Sequence, residues 1–257
     1  MDAIFRIDGN NVITGPDAAG PWDPGMQHGS APASLVVWAA ERVQTPAPMS
    51  VARVTLDLMR PVPVAPLTIE TEVLREGRKI QLVGIKLRAN GALVVSATVL
   101  KIKSQTLALP DEIQDAAVEL PLPEESREED KRGISSPFVR CVSLRMARGR
   151  FGVPGPAAAW FRVDKPLIEG EAISQAMRAV VAADFSNGAA SALDFHKWTF
   201  INADLTVNFA RQPVGEWILL DGESWIGPDG RGLAMSRLAD RGGYFGRAVQ
   251  SLVIEKL

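Results

Sequence analysis

Asp184 is a carboxylate where an apolar residue is expected. Ile173, Ala176, Met177 and Val180 recur at helical spacing, and Asp184 continues their stripe four residues beyond Val180. Burying a charge without partners costs several kcal/mol. Such a residue is either held for chemistry or lies past the helix end, with Asn187-Gly188 as a cap and the charge in water. The residue pattern leaves both open. In the first case a partly desolvated carboxylate can serve as a general base. A second group of interest is Gln27-His28-Gly29, just before a helical run from Ala31 to about Val43. Backbone N–H groups at a helix start can stabilise a developing oxyanion. His28 is by itself equally a turn histidine near the surface. A base, side chains that fix a water, and oxyanion donors are the parts of a hydrolytic site.

The elements that must position these groups occur twice. Ala203, Leu205, Val207 and Phe209 alternate with Asn202, Asp204, Thr206 and Asn208, as in a strand with one buried face. Ala52, Val54, Leu56 and Leu58 each lie 151 residues earlier and form the same pattern. Both strands run into an Arg and a Pro-Val, at Arg60-Pro61-Val62 and Arg211-Gln212-Pro213-Val214. Asn90-Gly91-Ala92, a hairpin signal, matches Gly242-Gly243-Tyr244 at an offset of 152. In the first half a helix (31–43) precedes strands at 49–58, 67–74, 80–87 and 92–102. In the second, strands are expected near 138–147 and 158–163, then a helix after Gly170, then strands near 198–209, 216–226, 231–240 and 244–255. Between them, 104–137 carries Leu120-Pro121-Leu122-Pro123 and the mixed-charge run Glu124 to Arg132, which reads as a solvated linker. The expected organisation is one unit at 1–103, a linker at 104–137 and a second unit at 138–257. Two α+β units with exposed sheet edges would close one sheet by pairing edge to edge.

Composition narrows the function classes. The 257 residues carry a net charge of −2 and 46% hydrophobic side chains, which leaves no electrostatic draw to nucleic acid or an anionic membrane. The N-terminus lacks a basic region followed by an apolar run, and no stretch approaches the roughly 20 apolar residues of a bilayer span. A cytoplasmic protein is the expectation. Cys141 is the single cysteine, and His28 and His196 are the only histidines, so neither a disulfide nor a dedicated metal site is expected. No glycine-rich phosphate loop is present. Trp38, Trp198, Trp217 and Trp225 fill cores or line an apolar tunnel, and His196 sits in a polar loop.

This doubled order resembles the double hotdog fold, specifically the acyl-CoA thioesterase II-like family, over nearly the whole chain. The residues that carry the resemblance are the strand–helix–four-strand order twice, the Arg-Pro-Val segment, and the closing Ala248-Val249-Gln250-Ser251. The resemblance implies an α+β fold of two tandem hotdog units, each with a central helix wrapped by an antiparallel sheet. It also implies hydrolysis of an acyl-CoA thioester by a water held between an Asp, a Ser or Thr, and a Gln of the second unit. The matching positions are Asp184, Asn202 and Gln250. Asn202 departs from the pattern, since an amide stands where the family has a hydroxyl. His28-Gly29 resembles the His-Gly pair at which hotdog proteins present a glycine amide to the thioester carbonyl, a substrate-binding role. No cofactor is implied.

The offsets assign first-half counterparts to these residues: Val43 for Asp184, Val51 for Asn202 and Thr98 for Gln250. The polar cluster thus occurs once, which gives one site per chain. Taken singly, a strand Asn or Gln is more often solvent-facing. Arg60 and Arg211 could meet CoA phosphates, although their repetition in both halves favours a structural role. The expected partners are an acyl-CoA substrate and, through apolar surface on the outside of the sheet, further copies of the chain in a homo-oligomer. Two other readings stand beside hydrolysis. One is a hydratase or dehydratase using His28 with Asp184. The other is a degenerate hotdog that binds acyl-CoA or a partner without turnover.

Overall fold

A computed structural model describes residues 2–110, 113, 117–131 and 135–257. The first half runs β1 (Phe5–Asp8), β2 (Asn11–Thr14), α1 (Ser30–Arg42), β3 (Met49–Leu58), β4 (Leu67–Glu76), β5 (Ile80–Ala89) and β6 (Ala92–Lys103). The second half opens with β7 (Arg127–Glu128), the one-turn helix α2 (Pro137–Arg140), β8 (Val142–Arg148) and β9 (Ala157–Val163). It continues with α3 (Gln175–Asp184), α4 (Ser186–Ala189), β10 (Trp198–Asn202), β11 (Asp204–Phe209), β12 (Ile218–Ile226), β13 (Arg231–Asp240) and β14 (Gly243–Lys256). All the strands join one sheet in the order β1-β2-β4-β5-β6-β3-β11-β14-β13-β12-β9-β8-β7, with β10 extending along β14. This is the α+β double hotdog: α1 packs on β3 to β6, α3 packs on β9 and β11 to β13, and the helices pack on each other.

The two halves meet edge to edge at β3 and β11, where Val54 faces Val207, Thr55 faces Thr206 and Leu56 faces Leu205. Each edge that would otherwise expose backbone donors and acceptors is thereby satisfied by the other half. The inner faces of both strands are fully apolar, so the seam is also the middle of the core.

Two expectations need correcting. The strand predicted from residue 138 begins with α2, because the Ser136 hydroxyl accepts the Val139 N–H and Pro137 starts a helical turn. The strand predicted over 198–209 is broken at Ala203. Asn202 faces Leu252 while Thr206 faces Val249, so one residue is extra on the β10–β11 side. That bulge leaves Ala203 exposed and turns Asn202 toward the helices, opposite to the simple alternation. The first half bulges at the equivalent place: Val51 faces Lys101 but Arg53 faces Leu100, and Val51 is buried where Ala52 was expected to be.

The expected linker is only partly free. Val118, Leu120 and Leu122 pack against Trp160 and Leu219 on the outer face of the second half, and Trp160 Nε1 donates to Pro121 O at 2.8 Å. β7 pairs with β8. Arg241 donates twice to Glu124, at 2.8 and 2.6 Å, and those bonds hold the Glu124 carboxyl at about 2. Residues 111–112, 114–116 and 132–134, including Arg132 of the charged run, lie outside the described residues.

Lys101 ends α1: its buried amine donates to Ala40 O at 2.9 Å, which also accepts the Val43 N–H, and to Val43 O at 2.7 Å. Burial pushes this amine below its ordinary range, partly offset by Glu41. Arg211 is structural, donating to both oxygens of Asp240, at 2.6 and 2.9 Å, and to Gly243 O. Among the described residues no helix is long and apolar enough to cross a membrane.

Candidate active site

α1 and α3 run antiparallel, so the start of one lies against the end of the other. Ser30, the first residue of α1, donates from its hydroxyl to Val181 O at 3.0 Å and stands 3.2 Å from Asp184 Oδ2. Asp184 is therefore not past the helix in solvent but inside the molecule, at 4% exposure. The Asn187-Gly188 segment does not cap the helix into water either, because the chain turns at Phe185 into the short α4.

The second half supplies the other contacts to this carboxylate. The bulge at Ala203 brings Asn202 Nδ2 to 3.0 Å from Asp184 Oδ1, and Asn202 Nδ2 also reaches Asp204 O at 3.3 Å. Gln250, on β14 and fully buried, donates to Asp184 O at 3.1 Å and to Oδ1 at 3.3 Å. Its own Oε1 accepts the Asn187 N–H at 3.1 Å, and Asn187 Nδ2 donates to Phe200 O at 3.0 Å. Both ends of the Gln250 amide are thus used, which fixes its orientation and the position of Asp184 at once.

From the first half comes His28. Its backbone N–H is tied to Ala18 O, and its ring lies between Phe138, 5.0 Å away and stacked, and Phe185, 4.5 Å away and tilted. Nδ1 lies 3.0 Å from Asp184 Oδ2. Gly29 follows with φ −57°, an ordinary helical backbone that any residue can adopt. Its glycine is required by space: a Cβ there would meet Asp184 Oδ1 at 2.5 Å and Oδ2 at 2.8 Å. No acceptor among the described residues takes the Gly29 N–H, and Ser30 N–H has only His28 Nδ1, at 3.2 Å. The N-terminal end of α1, with its partial positive charge, opens directly onto the carboxylate.

All five residues singled out from the sequence, Asp184, Asn202, Gln250, His28 and Gly29, are brought together here. His196 is exposed and apart. Two participants were missed. Ser30 is not singled out by the sequence, and Asn187 figures there only as part of a cap. The antiparallel crossing of α1 over α3 reveals Ser30, and the bonds to Gln250 and Phe200 reveal Asn187.

Among the described residues the first half has no such cluster. β3 and β11 share a single offset of 151, with Thr55 facing Thr98 and Thr206 facing Val249, so Gln250 corresponds to Val99 rather than Thr98. Counting from the helix caps Gly29 and Ser174, Asp184 corresponds to Ala39 rather than Val43. Ala39, Val51 and Val99 are all apolar and buried.

Known proteins agree with this architecture. Residues 18–102 match the acyl-CoA thioesterase N-terminal domain and residues 114–254 match the acyl-CoA thioesterase C-terminal domain. No curated protein matches. Among solved structures, a hot dog protein of unknown function from Alicyclobacillus acidocaldarius superposes with a TM-score of 0.79 at 15% identity, covering 99% of this chain and 97% of that one. The tesB protein of Mycobacterium avium gives 0.71 at 17%, over 98% and 96% of the two chains. Acyl-CoA thioesterase II TesB2 of Mycobacterium marinum gives 0.68 at 18%, over 89% and 88%. At these identities the structures bear on the fold, whereas the two domain matches together span most of the sequence. The chain belongs to the acyl-CoA thioesterase family.

Proposed function

We propose that this protein hydrolyses acyl-CoA thioesters to the free acid and CoA at the Asp184 cluster. The observation that carries the proposal is a buried carboxylate held at the start of α1 by His28, Ser30, Asn202 and Gln250. Asp184 supplies the site's basicity, Asn202 and Gln250 hold it in place, and the Gly29 and Ser30 N–H groups face the carbonyl oxygen as charge develops on it. Asn202 fills the family's hydroxyl position as a donor to the carboxylate. No cofactor enters the reaction, and a cytoplasmic setting in fatty acid metabolism is part of the same proposal. The test is release of free thiol from a panel of short- to long-chain acyl-CoAs. Turnover on some chain length is expected. Binding without turnover on every chain length would sink hydrolysis and leave the degenerate acyl-CoA binder.

The contact of His28 with Asp184 across the two halves also favours a second reading, reversible hydration of an enoyl-CoA. Hydration that vanishes in His28→Ala is its expected sign, and no change in enoyl absorbance would end it. The spacing Gly29-Ser30-Ala31-Pro32 lacks the glycine and proline placement of dehydratases, which ranks this reading second.

We also propose a homo-oligomer built on the outer sheet face, with a second copy as the occupant. Val249, exposed at 40%, lies in a cross-strand row with Thr206, Thr55 and Thr98, all small side chains. Two residues to one side, Arg237, Arg247, Asn208 and Arg53 form a basic row. Two residues to the other side, Asp204 faces Asp57, a like-charge pair that disfavours the free surface. A two-fold axis along the central row lays the basic row of one copy over the aspartates of the other. Light scattering at micromolar concentration is expected to give a dimer or larger, and Thr206→Arg a monomer. A wild-type monomer would refute the interface.

A further inference from the structure

The two polar groups closest to the α1 start are in opposite conditions. A carboxylate offers about four lone-pair positions. The oxygens of Asp184 already face four side-chain atoms, Asn202 Nδ2 and Gln250 Nε2 at Oδ1 and His28 Nδ1 and Ser30 Oγ at Oδ2. Water that binds this buried carboxylate has to displace one of them. His28 is 11% exposed at its side chain, and its Nε2 makes no hydrogen bond to any described residue and is not a buried unpartnered atom. Nε2 therefore opens to solvent while Nδ1 is turned inward.

Nδ1 has two neighbours that make contrary demands. The Ser30 N–H at 3.2 Å needs a lone pair there, and Asp184 Oδ2 at 3.0 Å needs a proton. With Asp184 ionised the choice falls on the proton, because a charge-assisted bond is about twice as strong as a neutral one. The proton on Nδ1 leaves the lone pair on Nε2, at the accessible edge of the ring. It also releases the Ser30 N–H, beside that of Gly29, for a substrate oxygen. Phe138 and Phe185 hold the ring plane, so this edge has a fixed direction.

We propose that His28 Nε2 is the atom that takes the proton of the attacking water, with Asp184 acting through Nδ1 as the positioning residue. This rests on the thioesterase reading. The water oxygen forms the new C–O bond to the thioester carbonyl as its proton passes to Nε2. The resulting imidazolium is stabilised by Asp184, and the carbonyl oxygen carries the negative charge at the α1 N–H groups. Collapse breaks the C–S bond, and the proton on Nε2 leaves with the CoA sulfur as the free thiol. One water is consumed, no electrons are transferred, and His28 returns to its starting form.

The test combines kinetics with the nitrogen spectrum of the imidazole in the full chain. His28→Ala is expected to lower kcat by at least about 10²-fold with a much smaller change in KM. Added imidazole, entering the gap between Phe138 and Phe185, is expected to restore turnover at least tenfold. With only two histidines in the chain, a His196→Gln background isolates the His28 signals. They are expected to report the Nδ1–H form in the wild type and the Nε2–H form in Asp184→Asn. A His28→Ala enzyme within about threefold of wild type, or a wild-type ring protonated on Nε2, overturns the assignment while leaving the hydrolase intact. A wild type inert on every acyl-CoA sinks the hydrolase reading, and the role of His28 with it.

Discussion

Asp184→Asn is expected to cut thiol release from acyl-CoA by between about 10² and about 10⁴-fold. The two side chains are nearly isosteric, so packing is preserved and the effect is electrostatic. The amide can keep its oxygen toward Asn202 and Gln250, which are both donors to Oδ1. Its NH₂ then faces Ser30 Oγ and His28 Nδ1, where Oδ2 now lies. Ser30 can accept, because its own proton has an alternative at Val181 O. His28 can accept only by moving its proton to the accessible nitrogen, which removes the lone pair that water would meet. The folded state loses little, and the thermal midpoint is expected to stay within about 4 °C of wild type. Steady-state rates beside a melting curve make the measurement. Unchanged turnover would remove Asp184 from the mechanism altogether.

Gly29→Ala is the next largest effect, and its cause is steric. The backbone at Gly29 is helical, so alanine imposes no conformational strain. The new methyl would nevertheless sit 2.5 Å from Oδ1 and 2.8 Å from Oδ2, well inside contact distance. The carboxylate must retreat, and it is held from behind by Gln250 and Asn202. A displacement of about 1 Å in a catalytic constellation can cost about 10²-fold, which is the loss expected in kcat/KM. The fold should survive, with an unchanged far-ultraviolet spectrum, because α1 keeps its remaining contacts. Near-normal activity in Gly29→Ala would mean that the close approach of Asp184 to this helix start is not needed for turnover.

The doubling of the fold was legible because a repeat is written in residue order. Val54, Leu56 and Leu58 match Leu205, Val207 and Phe209 with no knowledge of space, and the alternation follows from the two-residue period of a strand. Asp184 also drew attention locally, as a charge continuing an apolar stripe. Even so, the stripe left two outcomes open, burial or a solvent-facing helix end. What decided between them was a neighbour 154 residues away in sequence, Ser30, reached because α1 crosses α3 in the antiparallel sense.

Asn202 marks the limit of pattern reading. Simple alternation sends its side chain outward, and a single extra residue at Ala203 sends it inward to the carboxylate. A one-residue bulge leaves no mark in composition or hydropathy, yet it reverses the face of every residue on one side of it. The first-half counterpart of Gln250 moved from Thr98 to Val99 for a different reason: Ala89 faces Ala92 as Asp240 faces Gly243, so the hairpins match at an offset of 151 and not 152. The sequence by itself determined two hotdog units and the residue types available for a site, because periodicity and burial are local averages. Tertiary structure alone decided which atoms of those residues meet. A hydrogen bond depends on angstroms and on the hand of a kink, and those are set by the joining of β3 to β11 and the crossing of the two helices.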